Sequence, residues 1–107
     1  MSKDNRETVA RAKLLELLGT NAGEFGPTLF VSHHKEELGS EYWISAFGEP
    51  DPKPEAIIKG LVLVDSWDSE EDGNIDTLDF SLPGEVTDYL LSVRFSGEEV
   101  VDVSMES

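Results

Sequence analysis

The spacing of apolar residues changes character near residue 60. Ala10, Leu14, Leu17 and Leu18 recur at three- and four-residue intervals, the period of one helical face. Asp4 with Glu7 three residues later fits a capping box, and Gly19 supplies a stop, so an amphipathic helix is expected over residues 4–18. Asn21 to Gly26 reads as a turn-rich connector. The next stretch carries two signals. Thr28-Leu29-Phe30-Val31 has strand composition, whereas Pro27 suits a first helical position, Gly39 suits the residue past an end, and Lys35-Glu36-Glu37-Leu38 favours helix. Helix is preferred for 27–38, with strand as the open alternative. Ser40 to Trp43 opens a further short helical piece closing at Gly48, and Pro50, Pro52 and Pro54 stiffen the loop after it. Pro54 also suits the start of one more turn through Ile58.

From Leu61 onward the period is that of strands. Leu61-Val62-Leu63-Val64 is a short aliphatic run ending at Trp67. Leu78, Phe80 and Leu82 alternate with Asp79 and Ser81, and Pro83-Gly84 breaks the pattern. Tyr89, Leu91, Val93 and Phe95 alternate against Leu90, Ser92 and Arg94, and after the Ser96-Gly97-Glu98 turn Val101, Val103 and Met105 alternate in a closing strand. The expected fold is α+β: N-terminal helices packed on a four-stranded antiparallel sheet. At 107 residues the chain fits a single domain, residues 1–26 forming a helix and connector ahead of 27–107.

Charge changes the picture most. The net charge is −15, and it is unevenly placed: residues 1–35 balance at +1 and residues 36–107 at −16. Such a field repels nucleic acid phosphate and anionic membrane surfaces, and it draws basic proteins and metal cations. The chain has no cysteine, which excludes disulfides, thiolate zinc sites and a cysteine nucleophile. Its longest aliphatic run, Leu61–Val64, is far short of the ~20 residues of a membrane span. The opening residues Met1 to Arg6 are polar, without the apolar stretch of a secretory signal, so a cytoplasmic protein is expected.

The most pointed local pattern runs from Asp68 to Asp79. Aligned to a calcium loop it offers Asp68, Glu70, Asp72, Asp76 and Asp79 at positions one, three, five, nine and twelve, with Gly73 at the sharp turn and Ile75 at the apolar eighth. Such a loop needs two flanking helices and a closing glutamate, and here both flanks read as strands. An acidic turn between strands is the preferred reading, and a divalent-cation site the alternative. His33 and His34 are adjacent, so they diverge on a helix or a strand and cannot easily share a metal; a structural or surface role is expected for both. Neither a phosphate-binding glycine loop nor a strained nucleophile turn is present, so no enzyme activity and no cofactor are expected. Among the large aromatics, Trp67 and Tyr89 are expected in the core, and Trp43 is the one expected to reach the surface.

His33-His34-Lys35-Glu36-Glu37-Leu38, Glu41-Tyr42-Trp43, the stretch from Asp79 through Leu82-Pro83-Gly84 to Phe95, and Val103 to Ser107 together resemble a small acidic bacterial domain. It is the domain-of-unknown-function family numbered two thousand and four. The resemblance covers residues 30–107 and implies a helical histidine-rich stretch; it brings no catalytic residues. Similar small acidic domains act as immunity proteins that neutralise toxins, which is an analogy of scale and charge. The functional expectation is therefore a protein-binding domain that captures a basic partner, such as a toxin, with Asp65, Asp68, Glu70, Glu71, Asp72, Asp76 and Trp43 at the contact.

Overall fold

The computed structural model describes residues 3–24, 26–67, 76–84, 86–97 and 99–106, with side chains from Arg6 onward. Four α-helices precede four strands: α1 Lys3–Leu17, α2 Pro27–Glu37, α3 Ser40–Phe47, α4 Pro54–Lys59, β1 Val62–Trp67, β2 Thr77–Ser81, β3 Leu90–Ser96 and β4 Glu99–Glu106. The strands form one antiparallel meander in the order β1-β2-β3-β4. The α+β architecture is thus the expected one, and residues 27–37 are helical, with Pro27 in the first turn where its missing N–H costs nothing.

The helices cover one face of the sheet. Ala10 and Leu14 from α1, Phe30 and Val31 from α2, Trp43 from α3, and Ile57 and Ile58 from α4 pack with Leu61 on Leu78, Phe80, Leu82, Leu91, Val93 and Phe95. The first helix is therefore part of the same core. Arg11 ties it to the sheet: its Nη1 donates to the Leu61 carbonyl at 2.7 Å, and its guanidinium lies 5.0 Å from the Phe80 ring centre. Gly60, closing α4, is needed for close approach, since a Cβ there would run into the Phe47 ring.

Two β-bulges decide which side chains face which way. In β1 the register jumps between Leu63 and Asp65: Leu63 pairs with Phe80, but Asp65 pairs with Asp79 and Trp67 with Thr77. Simple alternation from Leu61 would send 61, 63, 65 and 67 to one side. The extra residue at Val64 reverses the phase, and Asp65 and Trp67 emerge on the face without helices. A second jump in the β3–β4 pairing takes Arg94↔Asp102 to Phe95↔Val100. Val103 and Met105 turn toward the core as their spacing implies, but Val101 is the bulged residue and is exposed, while Val100 packs inward in its place.

Candidate docking face on the open side of the sheet

The sheet face away from the helices is built from alternate residues of all four strands. β2 is its floor: Thr77, Asp79 and Ser81 lie on this side yet are buried, with β1 and β3 flanking them and the Trp67 indole reaching over to Asp79. Asp79 sits near the middle at 6% exposure. Its Oδ1 accepts the Ser92 hydroxyl at 2.5 Å and its Oδ2 accepts the Trp67 indole N–H at 3.2 Å. Both donors are neutral, and no cation lies within ion-pair distance among the described residues. The indole bond pins one edge of Trp67 to the floor and leaves the ring 44% exposed.

Around this pair the face is hollowed. One concavity of about 640 Å³ is bordered by Trp67, Leu90, Arg94, Asp102, Ser104 and Glu106. A second, of about 590 Å³, shares Leu90 and is bordered by Val62, Val64, Ser81, Thr87 and Asp88. Each falls within the ~300–1,000 Å³ range of clefts that hold small ligands. Their apolar parts are exposed: Val62 and Val64 on the edge strand border the second concavity and Trp67 the first, with Val86 near the Gly84 turn.

The electrostatics of the face follow from which residues are strand residues. The four strands contain a single base, Arg94, against Asp65, Asp79, Asp102 and Glu106 turned to this side. Arg94 stands opposite Asp102 in the register without forming an ion pair among the described residues. The other bases with described side chains belong to the helix layer. Arg11 pairs with Glu7 at 3.2 Å, Lys13 with Glu16 at 3.4 Å and Lys35 with Asp51, while Arg6 lies over Phe95 at 5.8 Å. Carboxylates also stud the helix layer, among them Glu36, Glu37, Glu41 and Glu55, so charge does not by itself single out a face. The open face is distinguished by the combination of hollow, exposed indole and carboxylates that form no ion pair among the described residues.

The expected contact residues divide. Asp65 is on this face and exposed. Asp76 is half-buried at the start of β2, where its N–H donates to the Trp67 carbonyl at 3.1 Å, its carbonyl accepts the Phe95 N–H at 2.7 Å and its carboxylate accepts the Thr77 hydroxyl at 3.0 Å. Asp68, Glu70, Glu71 and Asp72 lie outside the described residues. Trp43 is a correction: it is 2% exposed, on the inner side of α3, with its indole N–H donating to the Leu38 carbonyl at 3.3 Å and its ring near Tyr42 and Phe47. The exposed tryptophan is Trp67, which the aliphatic run before it made look like core. Asp88, Asp102 and Glu106, which the sequence did not single out, border the two concavities. The alternation of Leu90, Ser92 and Arg94 marked a wet face, but no spacing rule joins it to β4 and β1.

For the cation alternative, Asp79 is 6% exposed and each of its oxygens already accepts a hydrogen bond, from Trp67 and from Ser92, and Asp68, Glu70 and Asp72 are outside the described residues. Among the described residues no group of three or more histidines and carboxylates is placed to hold a metal. The histidines do structural work. His34 is 1% exposed; its Nδ1 is 2.7 Å from the Phe30 carbonyl, which makes Nδ1 the protonated nitrogen, and its Nε2 accepts the Thr87 hydroxyl at 2.9 Å. Thr87 in turn accepts the Tyr89 N–H at 3.2 Å, so His34 anchors the β2–β3 connection that borders the second concavity. Burial pushes the His34 pKa down, with His33 adding to the effect, against partial compensation from the Phe30 carbonyl and Glu37.

No helix among the described residues is long and apolar enough to cross a membrane. No family model, curated protein or solved structure matches the chain.

Proposed function

We propose that this chain is a non-catalytic, acidic protein-binding domain that captures a basic protein partner on the open face of its sheet. The observation carrying the reading is the half-exposed Trp67 on the same edge strand as exposed Val62 and Val64, set on a face where four strand carboxylates stand against one arginine. Interfaces are anchored by such aromatic residues in a ring of polar groups, and complementary charge steers the encounter. The most concrete form is a bacterial immunity protein acting in the cytoplasm, occluding a cationic toxin such as a nuclease. A nuclease site is built to hold phosphate, and carboxylates on a rigid sheet suit it as substrate mimics. The likeness of residues 30–107 to the family of unknown function agrees with a small acidic module and brings no catalytic group.

The test compares two variants of equal charge change. Asp65→Asn with Asp102→Asn and Glu106→Gln neutralises the sheet face; Glu36→Gln, Glu37→Gln and Glu41→Gln neutralise the helix layer. In a pull-down from source-organism lysate at two salt concentrations, wild type and the helix-layer variant retain a basic protein that the sheet-face variant loses. Capture weakens as salt rises, since screening acts within ~8–10 Å at physiological ionic strength. Equal recovery at all salts, or equal loss by both variants, defeats the reading.

A further inference from the structure

We infer that the concavity beside Trp67 is an arginine subsite: it receives an arginine side chain of the basic partner, with the guanidinium laid on the exposed indole and turned toward Asp102 and Glu106. This rests on the open face being the docking surface and adds which cation it selects. Three features carry it. The Trp67 ring is held by its N–H bond to Asp79, so its orientation exists before a ligand arrives. The same hollow is bordered by the carboxylates of Asp102 and Glu106 on β4 and by Leu90 on β3, which gives an acidic rim and an apolar wall across β2 and β3 from the aromatic ring on β1. Asp79, buried beneath and bonded only to neutral donors among the described residues, adds negative potential from below the surface.

Arginine suits this combination better than lysine. Its guanidinium is planar and weakly hydrated, stacks on aromatic rings, and can fork to a carboxylate while doing so. Lysine's compact, strongly hydrated ammonium gains the same charge attraction but little from the ring and wall. Arg94 already stands in the hollow opposite Asp102. It repels an incoming cation and competes for that carboxylate, so removing its charge strengthens binding.

The experiment uses the full chain labelled with nitrogen-15, titrated at low salt with N-acetyl-diarginine amide and, separately, N-acetyl-dilysine amide. The chain has two indole N–H signals to follow. That of Trp67 moves with the arginine peptide, and that of Trp43, buried and bonded to Leu38, stays. The arginine peptide binds roughly two- to five-fold more tightly than the lysine peptide. Arg94→Gln tightens both roughly two- to five-fold and Glu106→Gln loosens both by a similar factor. Neither substitution touches the Trp67–Asp79 bond, so both remain readable if a Trp67 variant fails to fold. Equal affinities with an unmoved Trp67 signal, on shifts still confined to the open face, overturn the arginine subsite while leaving basic-partner capture standing. Shifts centred on α2 and α3, or no response to Arg94→Gln, overturn it as well.

Discussion

Asp79 is a carboxylate at 6% exposure, held by two neutral donors and facing Asp65 directly across the β1–β2 pair. The charge is opposed by Asp65 and favoured by its two hydrogen bonds, and Asp79→Asn measures the balance. Directly opposed side chains have Cβ atoms ~5 Å apart, so two charges ~6 Å apart repel by about 0.7 kcal/mol in bulk water and about 3 kcal/mol at the effective dielectric of a protein surface. Against this, a hydrogen bond to a charged acceptor is worth about 1 kcal/mol more than a neutral one, and Asp79 accepts two. Asparagine keeps the shape: its oxygen accepts the Trp67 N–H, and its NH₂ donates to the Ser92 oxygen once that hydroxyl rotates. The two effects nearly cancel, and Asp79→Asn changes stability by less than about 1 kcal/mol, becoming relatively less favourable as salt screens the repulsion. Asp79→Ala removes both acceptors and costs about 1–3 kcal/mol more than the asparagine variant. Urea unfolding at low and high salt, followed by tryptophan emission, supplies both values. An asparagine variant as damaged as the alanine one refutes the reasoning, for it would mean that the negative charge itself holds the site together.

Leu14→Ala, at a fully buried position of α1, lowers stability by about 2–5 kcal/mol in the same assay; a loss under 1 kcal/mol would show that α1 does not belong to the core. Gly60→Ala displaces the Phe47 ring and costs about 1–3 kcal/mol. In a Phe47→Ala background the same change is nearly free, and additive losses would rule out that contact as the cause. His34 is buried neutral with its pKa lowered by burial, so between that value and 6.5 the unfolded chain binds a proton that the folded chain does not. Its contribution is therefore complete above pH 6.5 and falls as the solution is acidified. His34→Gln removes this dependence, and its stability gap to wild type narrows on going from pH 7.5 to 5; a gap that widens contradicts the assignment.

Much of the fold was legible from residue order. The three- and four-residue spacing of Ala10, Leu14, Leu17 and Leu18, the prolines at 27 and 54, and the alternation of Leu78, Phe80, Leu91 and Val93 determine the type, order and inner faces of most elements, because each signal is local. The −16 balance after residue 35 is likewise a property of the chain alone. The make-up of the open face was decided only in three dimensions. The bulge at Val64 exists in the pairing of β1 with β2, and it turns Asp65 and Trp67 outward against the alternation of their own segment. The bulge at Val101 likewise hands its inward place to Val100. Trp43 and Trp67 exchange their expected roles because burial depends on what packs over a ring: helix α3 turns Trp43 into the core, while among the described residues no helix covers the side of the sheet where Trp67 lies. A sequence records which residues have charge and bulk; how strands align decides which of them meet.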